Sequence, residues 1–275
     1  MTRPARWRIP AADPLEAESL ARALGLPPLI GRVLIRRGYR EAPAARAFLE
    51  PSREDLHDPF LLAGMTEAVH RLLEAIREKQ PVLLFGDYDA DGIAAVVILK
   101  TVIERAGGRA SFQIPNRLRD GYGLRPEVIE QAAAAGVRLL ISADTGIRSG
   151  DAILQARSAG IDVIVADHHL PEAELPPACA VLNPKRRDCL YPEKNLCGAG
   201  VAFKLAEALL RSLGWPRERR GRLLDSLMKL VAIATVADVV PLKGENRILV
   251  KHGLDGLSSV RSPGLRALMA VAGFS

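Results

Sequence analysis

The chain is poor in cysteine, and this scarcity argues against a disulfide-stabilised protein. Its three cysteines, Cys179, Cys189 and Cys197, are an odd number without CxxC spacing in 275 residues. That pattern favours reduced thiols in a cytoplasm over a disulfide framework. A zinc site built on these thiols is the less favoured alternative.

Long hydrophobic runs are also lacking. The most apolar stretch late in the chain, residues 230–240, is too short to cross a bilayer and contains Thr235 and Asp238. The opening residues, MTRPARWRIPAADP, carry charge with no apolar run behind them. We therefore expect neither a signal peptide nor a membrane span, and the sequence predicts a soluble cytoplasmic protein without membrane partners.

Positive charge exceeds negative charge. Thirty-eight Lys and Arg residues against 32 Asp and Glu residues give a net charge of +6 and a pI near 9.5. Such a balance is typical of proteins that bind an acidic polymer such as nucleic acid. Genome composition alone explains an arginine-rich and alanine-rich chain equally well, so charge by itself leaves both interpretations open.

From residue 66 onward, short apolar runs alternate with amphipathic helical patterns. Strands are predicted at 81–86, 109–114, 138–143, 161–166 and 178–182, and helices at 66–79, 92–106, 126–135, 149–159, 200–213 and 220–236. This alternation predicts an α/β fold with a mainly parallel, doubly wound sheet and flanking helices. We expect an accessory helical region at 1–65, the α/β domain at 66–260, and the start of a connecting helix at 261–275.

The run PVLLFGDYDADG, residues 81–92, is the strongest indication of function. Its apolar strand ends in Asp87, Asp89 and Asp91, at every second position. Neighbouring carboxylates repel one another by roughly 4 kcal/mol for each pair about 4 Å apart at an effective dielectric near 20. Since the strand is expected to be buried, a divalent cation between the carboxylates is the natural counter-charge.

The same residues match the opening of an EF-hand calcium loop, D-x-D-x-D-G. The twelfth position, however, is Ile98 where a bidentate Glu is required, and a strand rather than a helix precedes the loop. The EF-hand is therefore rejected.

Polar residues follow each of the five predicted strands. Asp and Asn often end strands as turn formers, so a single one carries little weight. Carboxyl ends of parallel strands share one sheet edge, however, and ligands of open α/β sheets bind there. The set comprises Asp87, then Asn116 and Arg117 after Pro115, then Asp144, then Asp167, His168 and His169, and finally Asn183.

Several carboxylates with an imidazole make an oxygen-rich site suited to manganese or magnesium. Two such ions would form a clamp for hydrolysis of phosphate esters. Asp238, in the apolar run ATVADVVPL, is expected to join as a ligand, because a buried unpaired carboxylate is costly. Gly198 and Gly200 open a predicted helix, where they either seat a phosphate or allow close packing.

The motifs DYDADG, PNR, DTG, DHH and ADVVP occur in that order, and on them the chain resembles the DHH phosphoesterase family. Within that family it is similar to the RecJ single-stranded-DNA exonucleases. The longer segments PNRLRDGYGL, ADHHLP, LNPKRRDC, GAGVAFKL and ATVADVVPL carry the narrower resemblance. It extends from about residue 81 to residue 256.

The resemblance implies two manganese or magnesium ions and 5′ to 3′ release of nucleotides from single-stranded DNA in repair and recombination, where repair or replication proteins would be partners. Matching motifs give a metal role to Asp87, Asp89, Asp91, Asp144, His168 and Asp238, with Asp144 as the bridging carboxylate. His169 would contact the scissile phosphate or leaving oxygen, and Asp167 would orient an imidazole. Asn116 and Arg117 would hold substrate phosphate.

The chain departs from this family in one respect. Its members normally continue into a second domain that grips substrate across a cleft, and we expect that domain to be absent here. A phosphodiesterase of short oligonucleotides or cyclic dinucleotides, and a non-catalytic module that binds nucleic acid or partner proteins, are the alternatives that stay open.

Overall fold

The computed structural model describes residues 13–121 and 123–274. The chain divides into two compact units, residues 1–54 and residues 55–275. The predicted boundary at residue 65 lies in the second unit, and the three-part division stays a prediction.

The described part of the first unit consists of three short helices. Each has a proline in its first turn, where the missing N–H costs no hydrogen bond. Leu20, Leu34 and Ile35 are buried in its small core. The helices are α1 (Pro14–Leu24), α2 (Pro28–Arg36) and α3 (Ala42–Leu49).

The second unit is built on a five-stranded sheet whose strand pairs are all parallel, in the order β2-β1-β3-β4-β5. This confirms the predicted α/β fold. Four strands lie within a residue of the predicted bounds, whereas β5 is shorter than expected. The strands are β1 (Pro81–Gly86), β2 (Arg109–Gln113), β3 (Leu139–Ala143), β4 (Asp162–Ala166) and β5 (Ala180–Leu182).

Helices cover both faces of the sheet. Leu84 of β1 points into one core with residues of the helices at 90–105 and 198–212, and Leu83 and Phe85 point into the other. This alternation follows from the two-residue period of a strand. The helices are α4 (Met65–Arg77), α5 (Ala90–Arg105), α6 (Pro126–Ala134), α7 (Gly150–Ser158), α8 (Gly198–Ser212), α9 (Arg217–Ala237), α10 (Gly244–Gly256) and α11 (Pro263–Val271).

Helix α10 was not predicted from sequence. It packs against α9, and buries Ile248 and Leu249 together with the polar residues Glu245 and Asn246. Polar residues on its buried face obscure the apolar period on which helix prediction depends.

The lengths of the helices and the state of the cysteines were also predicted from sequence. Among the described residues, every helix is too short or too polar to span a lipid bilayer. Cys179, Cys189 and Cys197 are all free thiols.

Candidate metal centre

The strand order places a ligand-binding crevice between β1 and β3. After β1 the chain crosses to β2 on one side, and β3 then pairs with β1 on the other side. Connections leave the carboxyl ends of β1 and β3 in opposite directions, which opens a crevice at that edge. Asp87 follows β1 and Asp144 follows β3, so the two predicted ligands lie at its mouth.

The three aspartates after β1 have different surroundings. Asp87 is buried, and its Oδ1 accepts a hydrogen bond from the N–H of Tyr88 at 2.8 Å. Asp89 is exposed and caps α5, since its Oδ1 accepts from the N–H groups of Asp91 and Gly92, each at 2.9 Å. Capping occupies one carboxylate oxygen of Asp89 and leaves the other for a ligand.

Asp91 is held at the N-terminus of α8. Its Oδ2 accepts from the N–H of Gly198 at 2.6 Å, and its Oδ1 from the N–H of Ala199 at 2.7 Å. The anion seat predicted for substrate phosphate is thus filled by a carboxylate of the chain itself. Gly200, the residue after Ala199, is buried. A Cβ at this position would lie 3.3 Å from the Leu196 side chain, which is a tight contact. This arrangement favours the close-packing alternative for Gly198 and Gly200, and their contact with substrate phosphate stays a prediction.

Asp144 is buried in a left-handed backbone conformation, with φ of 63°. Its N–H donates to the Ala166 carbonyl at 2.9 Å. Glycine at 198 allows this arrangement, because a Cβ there would lie 2.5 Å from the Cβ of Asp144 and 2.6 Å from its Oδ1. Aspartate tolerates positive φ better than most side chains.

His168 brings the remaining acids together. Its Nε2 lies 3.1 Å from Oδ1 of Asp144, and 3.7 Å from the nearest carboxylate oxygens of both Asp91 and Asp238. Asp238 reaches this point from the C-terminal end of α9 and is about one quarter exposed. Segments far apart in sequence therefore converge here.

The donor atoms form three overlapping groups whose members lie within 4.8 Å of one another. Asp144 belongs to two of them, as does His168, so the groups share ligands. The groups are Asp144, His168 and His169; Asp91, His168 and Asp238; and Asp87, Asp89 and Asp144.

Unpartnered polar atoms test whether these residues suit a cation. Oδ1 of Asp144 and Nδ1 of His168 are buried without a hydrogen-bond partner among the described residues. Oδ1 of Asp144 and Nε2 of His168 lie 3.1 Å apart without forming a hydrogen bond. An unpartnered buried carboxylate oxygen beside an imidazole, in an oxygen-rich donor set, fits a hard divalent ion.

In the absence of a cation, the buried acids and the imidazole of the centre favour their neutral forms. Burial, followed by repulsion from Asp91 and other aspartates, raises the pKa of Asp144 to about 11. Burial also raises the pKa of Asp91 to about 6 and lowers the pKa of His168 to about 4. Each group resists its charged form, and a bound cation would reverse that preference for the carboxylates.

His169 is oriented by Asp167. Its Nδ1 lies 2.8 Å from Oδ1 of Asp167, and this hydrogen bond raises the pKa of the imidazole. Burial alone would raise the pKa of Asp167, but its hydrogen bonds with His169 and the N–H of Ile147 outweigh burial and lower it. The His169 side chain stays 41% exposed, so its other nitrogen can reach a substrate.

Asn116 and Arg117 lie on an exposed loop after β2. Oδ1 of Asn116 accepts from the N–H groups of Leu118 and Arg119, which closes a tight turn. The Arg117 guanidinium lies 5.2 Å from the ring centroid of Tyr88, beside Asp87. Asn116 thus shapes the loop, and Arg117 is the side chain directed to the centre.

The sequence analysis did not single out Lys185, whose charge acts on the centre. Burial and the His169 charge, followed by the Lys185 charge, lower the pKa of His168. The same lysine partly offsets the raised pKa values of His169, which come first from the Asp167 hydrogen bond, and of Asp238, which come first from burial. Asn183 links this lysine to the histidines, because it donates to the His169 carbonyl at 2.8 Å and accepts from the N–H of Lys185 at 2.8 Å. The segment LNPK contained the signal, since a lysine there follows a strand end.

A parallel α/β sheet with carboxylates and histidines gathered at its switch point defines the class of α/β proteins with a candidate metal centre at the strand ends. The family model for the DHH family, N-terminal domain, matches residues 81–235 of this chain. The chain belongs to the DHH family.

Curated relatives include single-stranded-DNA-specific exonucleases RecJ. The Bacillus subtilis protein is 38% identical over 98% of this chain and 33% of its own length, and the Escherichia coli protein is 43% identical over 90% and 43%. The crystal structure of RecJ from Thermus thermophilus in complex with Mn²⁺ matches with a TM-score of 0.81 at 32% identity, covering 98% of this chain and 38% of that one. The chain thus spans less than half the length of these relatives.

Proposed function

We propose that this chain is the metal-binding catalytic part of a single-stranded-DNA exonuclease, which hydrolyses phosphodiester bonds in the 5′ to 3′ direction. The observation that carries the proposal is the convergence of Asp87, Asp91, Asp144, His168 and Asp238 at the β1/β3 crevice. Its similarity to RecJ proteins supports the substrate class.

Two ions, manganese or magnesium, would be held by these residues. Asp91, His168 and Asp238 suit one position, and Asp87, Asp89 and Asp144 suit the other. Asp144, whose carboxylate lies near both sets, would be the ligand shared between the two positions. When bound, such ions would supply a lowered pKa for water and charge stabilisation for phosphodiester hydrolysis.

Other residues would act directly on the substrate. His169, held by Asp167 through Nδ1, presents Nε2 to the scissile phosphate or to the leaving oxygen, where it can donate a proton. Arg117 projects from the β2 loop and can bind a phosphate oxygen pair bidentately. Asn116 closes that loop through Oδ1, and its side-chain N–H groups would donate to substrate phosphate. Lys185 adds a second cation on the opposite side, near His169.

The proposed exonuclease function also leads to proposals for the domain organisation, the cellular location and the partner proteins. Residues 66–260 are the DHH domain, preceded by an accessory helical region. Free cysteines suit a cytoplasmic location, and proteins of DNA repair and replication are the expected partners.

The test is hydrolysis of a 5′-labelled single strand, with manganese or EDTA, by the wild-type chain and by Asp144→Asn. We expect manganese-dependent release of labelled mononucleotides, no release by the variant, and slow cleavage of the matching duplex. A 3′-labelled strand should yield a ladder of shortened products instead. Cleavage confined to dinucleotides or cyclic dinucleotides would favour the phosphodiesterase alternative. Inactivity with metal demonstrably bound would favour a non-catalytic module.

A further inference from the structure

A small cavity of about 150 Å³ lies beside the metal centre on the side away from Arg117. The loop after β3, residues 145–149, forms most of its wall, and Asp167 and His169 complete it. The order β2-β1-β3-β4 puts the Arg117 loop and this cavity on opposite sides of the crevice. We propose that the cavity, named here the 145–149 pocket, binds the phosphate that neighbours the scissile one on the substrate strand.

An unpartnered hydroxyl within the wall is the first observation for this pocket. Thr145 is only 1% exposed, and its Oγ1 has no hydrogen-bond partner among the described residues. A buried polar group without a partner is costly. A ligand with acceptor oxygens, as a phosphodiester has, would satisfy the hydroxyl.

Arg148 supplies the charge. Its Nε and Nη2 donate to the Leu170 carbonyl at 3.3 Å and 3.2 Å, which fixes the guanidinium at the rim. A guanidinium has five N–H donors, so these two bonds leave donors for an anion. Because Arg148 is exposed, binding a phosphate does not require its removal from a buried ion pair.

The one carboxylate in the wall is already satisfied. Oδ2 of Asp167 accepts from the N–H of Ile147 at 3.0 Å, and Oδ1 accepts from the N–H of His168 at 2.7 Å and faces His169 Nδ1. These donors offset its repulsion of an anion. The other polar residues that line the cavity, among them Arg148, Thr145 and Ser149, are positive or neutral.

Backbone geometry maintains the shape of the wall. Gly146 has φ of 103°, and a Cβ there would lie 2.4 Å from Oγ of Ser142. Only glycine fits both the conformation and the space. The loop can therefore turn back over the end of β3 and leave a cavity between itself and His169.

The inference rests on the proposed function, and a binding assay separates the two. The probe is an oligothymidylate with phosphorothioate linkages, which resist cleavage. Its 5′ end is a hydroxyl, so every phosphate group in the probe is internal. Its dissociation constant is measured in manganese by fluorescence anisotropy over a series of salt concentrations. Neutralisation of one phosphate contributes about 0.7 to the slope of log affinity against log salt for single strands.

We expect Arg148→Ala to weaken binding about tenfold at low salt, which is the effect of one charge-assisted hydrogen bond. Its salt slope should be smaller by about 0.7. Arg148→Lys, which keeps the charge, should restore most of the slope. Arg157→Ala is the matched control, since Arg157 is an exposed arginine near the other end of α7, and it should bind as the wild type does.

Thr145→Val tests the hydroxyl without changing the volume of the side chain. It should melt at the same temperature as the wild type or higher, because it removes an unpartnered buried group, yet bind the strand several-fold more weakly. Wild-type affinity and slope in both Arg148→Ala and Thr145→Val would overturn the pocket assignment alone. A wild-type chain that neither binds nor cuts the strand would overturn the proposed function and the pocket with it.

Discussion

At the scale of single residues, the centre is a set of acids that destabilise one another until a cation joins them. Asp144 is the extreme case, because burial and neighbouring aspartates raise its pKa to about 11. Asp91 differs, since two N–H groups of α8 partly offset its burial. Protonation at low pH or a bound cation would relieve this destabilisation.

Asp144→Asn should have opposite effects with and without metal. In EDTA the variant should melt at a higher temperature than the wild type, because it removes a buried acid whose ionised form is unfavourable. Manganese at about a hundred times its dissociation constant should stabilise the wild type by about 2.7 kcal/mol, or roughly 5 to 10 °C for a chain of this size. The variant should lose most of this gain. A manganese shift equal to that of the wild type would contradict Asp144 as a ligand.

The pH dependence follows from the raised pKa values. An acid with a raised folded-state pKa stabilises the fold fully below its unfolded pKa near 3.8, and this contribution is lost as pH rises through the folded value, about 6 for Asp91. Metal-free protein should therefore lose stability between about pH 4 and pH 6 from this group, and further at higher pH from Asp144. Metal ligands must be deprotonated, so the manganese gain in melting temperature should be larger at about pH 8 than at about pH 5. A gain independent of pH would contradict carboxylate ligation.

At the scale of elements, the N-termini of α5 and α8 meet at the centre, and each forms hydrogen bonds with a different aspartate. Asp89 caps α5, and the first N–H groups of α8 hold Asp91. A helix N-terminus stabilises a nearby negative charge, so α8 partly offsets the effect of burial, which still raises the pKa of Asp91. Close approach of α8 to β3 depends on the missing side chain at Gly198.

Gly198→Ala should therefore destabilise the chain and disturb Asp144. A Cβ 2.5 Å from that of Asp144 forces the helix or the ligand to move, and we expect a loss of about 1 to 3 kcal/mol together with weaker manganese binding. Gly221→Ala is the control, because a Cβ there meets nothing within 4 Å, and it should stabilise α9 by about 0.5 to 1 kcal/mol. Thermal melts of both variants, with manganese and with EDTA, measure the difference. Equal melting temperatures for the two variants would contradict this packing role.

Elements were predictable where their patterns are local. Apolar runs flanked by turn residues located β1 to β4, and the order of acids at their ends predicted which side chains converge. Contacts between distant segments were not predictable, because no local pattern records them. The N–H groups of Gly198 and Ala199 reach an acid more than a hundred residues earlier, and a phosphate was predicted in its place. Helix α10 was not predicted for a similar reason, because the hydrogen-bond partners of its buried Glu245 and Asn246 lie far away in sequence.

At the scale of the whole second unit, a buried ionic cluster joins parts that the sheet does not. Lys204 of α8 is fully buried, and its Nζ lies 2.6 Å from Oε1 of Glu245 in α10 and donates to the His57 carbonyl at 2.9 Å. Oε2 of Glu245 accepts from the Tyr191 hydroxyl at 2.5 Å. The cluster connects α8 and α10 with the loops that carry His57 and Tyr191. Such a cluster fixes geometry more than it adds net stability.

Lys204→Met tests this cluster. Removal of the ammonium leaves the buried Glu245 carboxylate without its cation, and we expect a loss of about 3 to 5 kcal/mol in the free energy of unfolding. Lys251→Met removes an exposed lysine paired with Asp255 and should cost less than about 1 kcal/mol. Adding Glu245→Gln to Lys204→Met should recover part of the loss, because Gln removes the unpaired charge and still accepts from Tyr191. Urea denaturation of these variants and the wild type measures these terms. A double variant as unstable as the sum of its single variants would show that Lys204 and Glu245 are energetically independent.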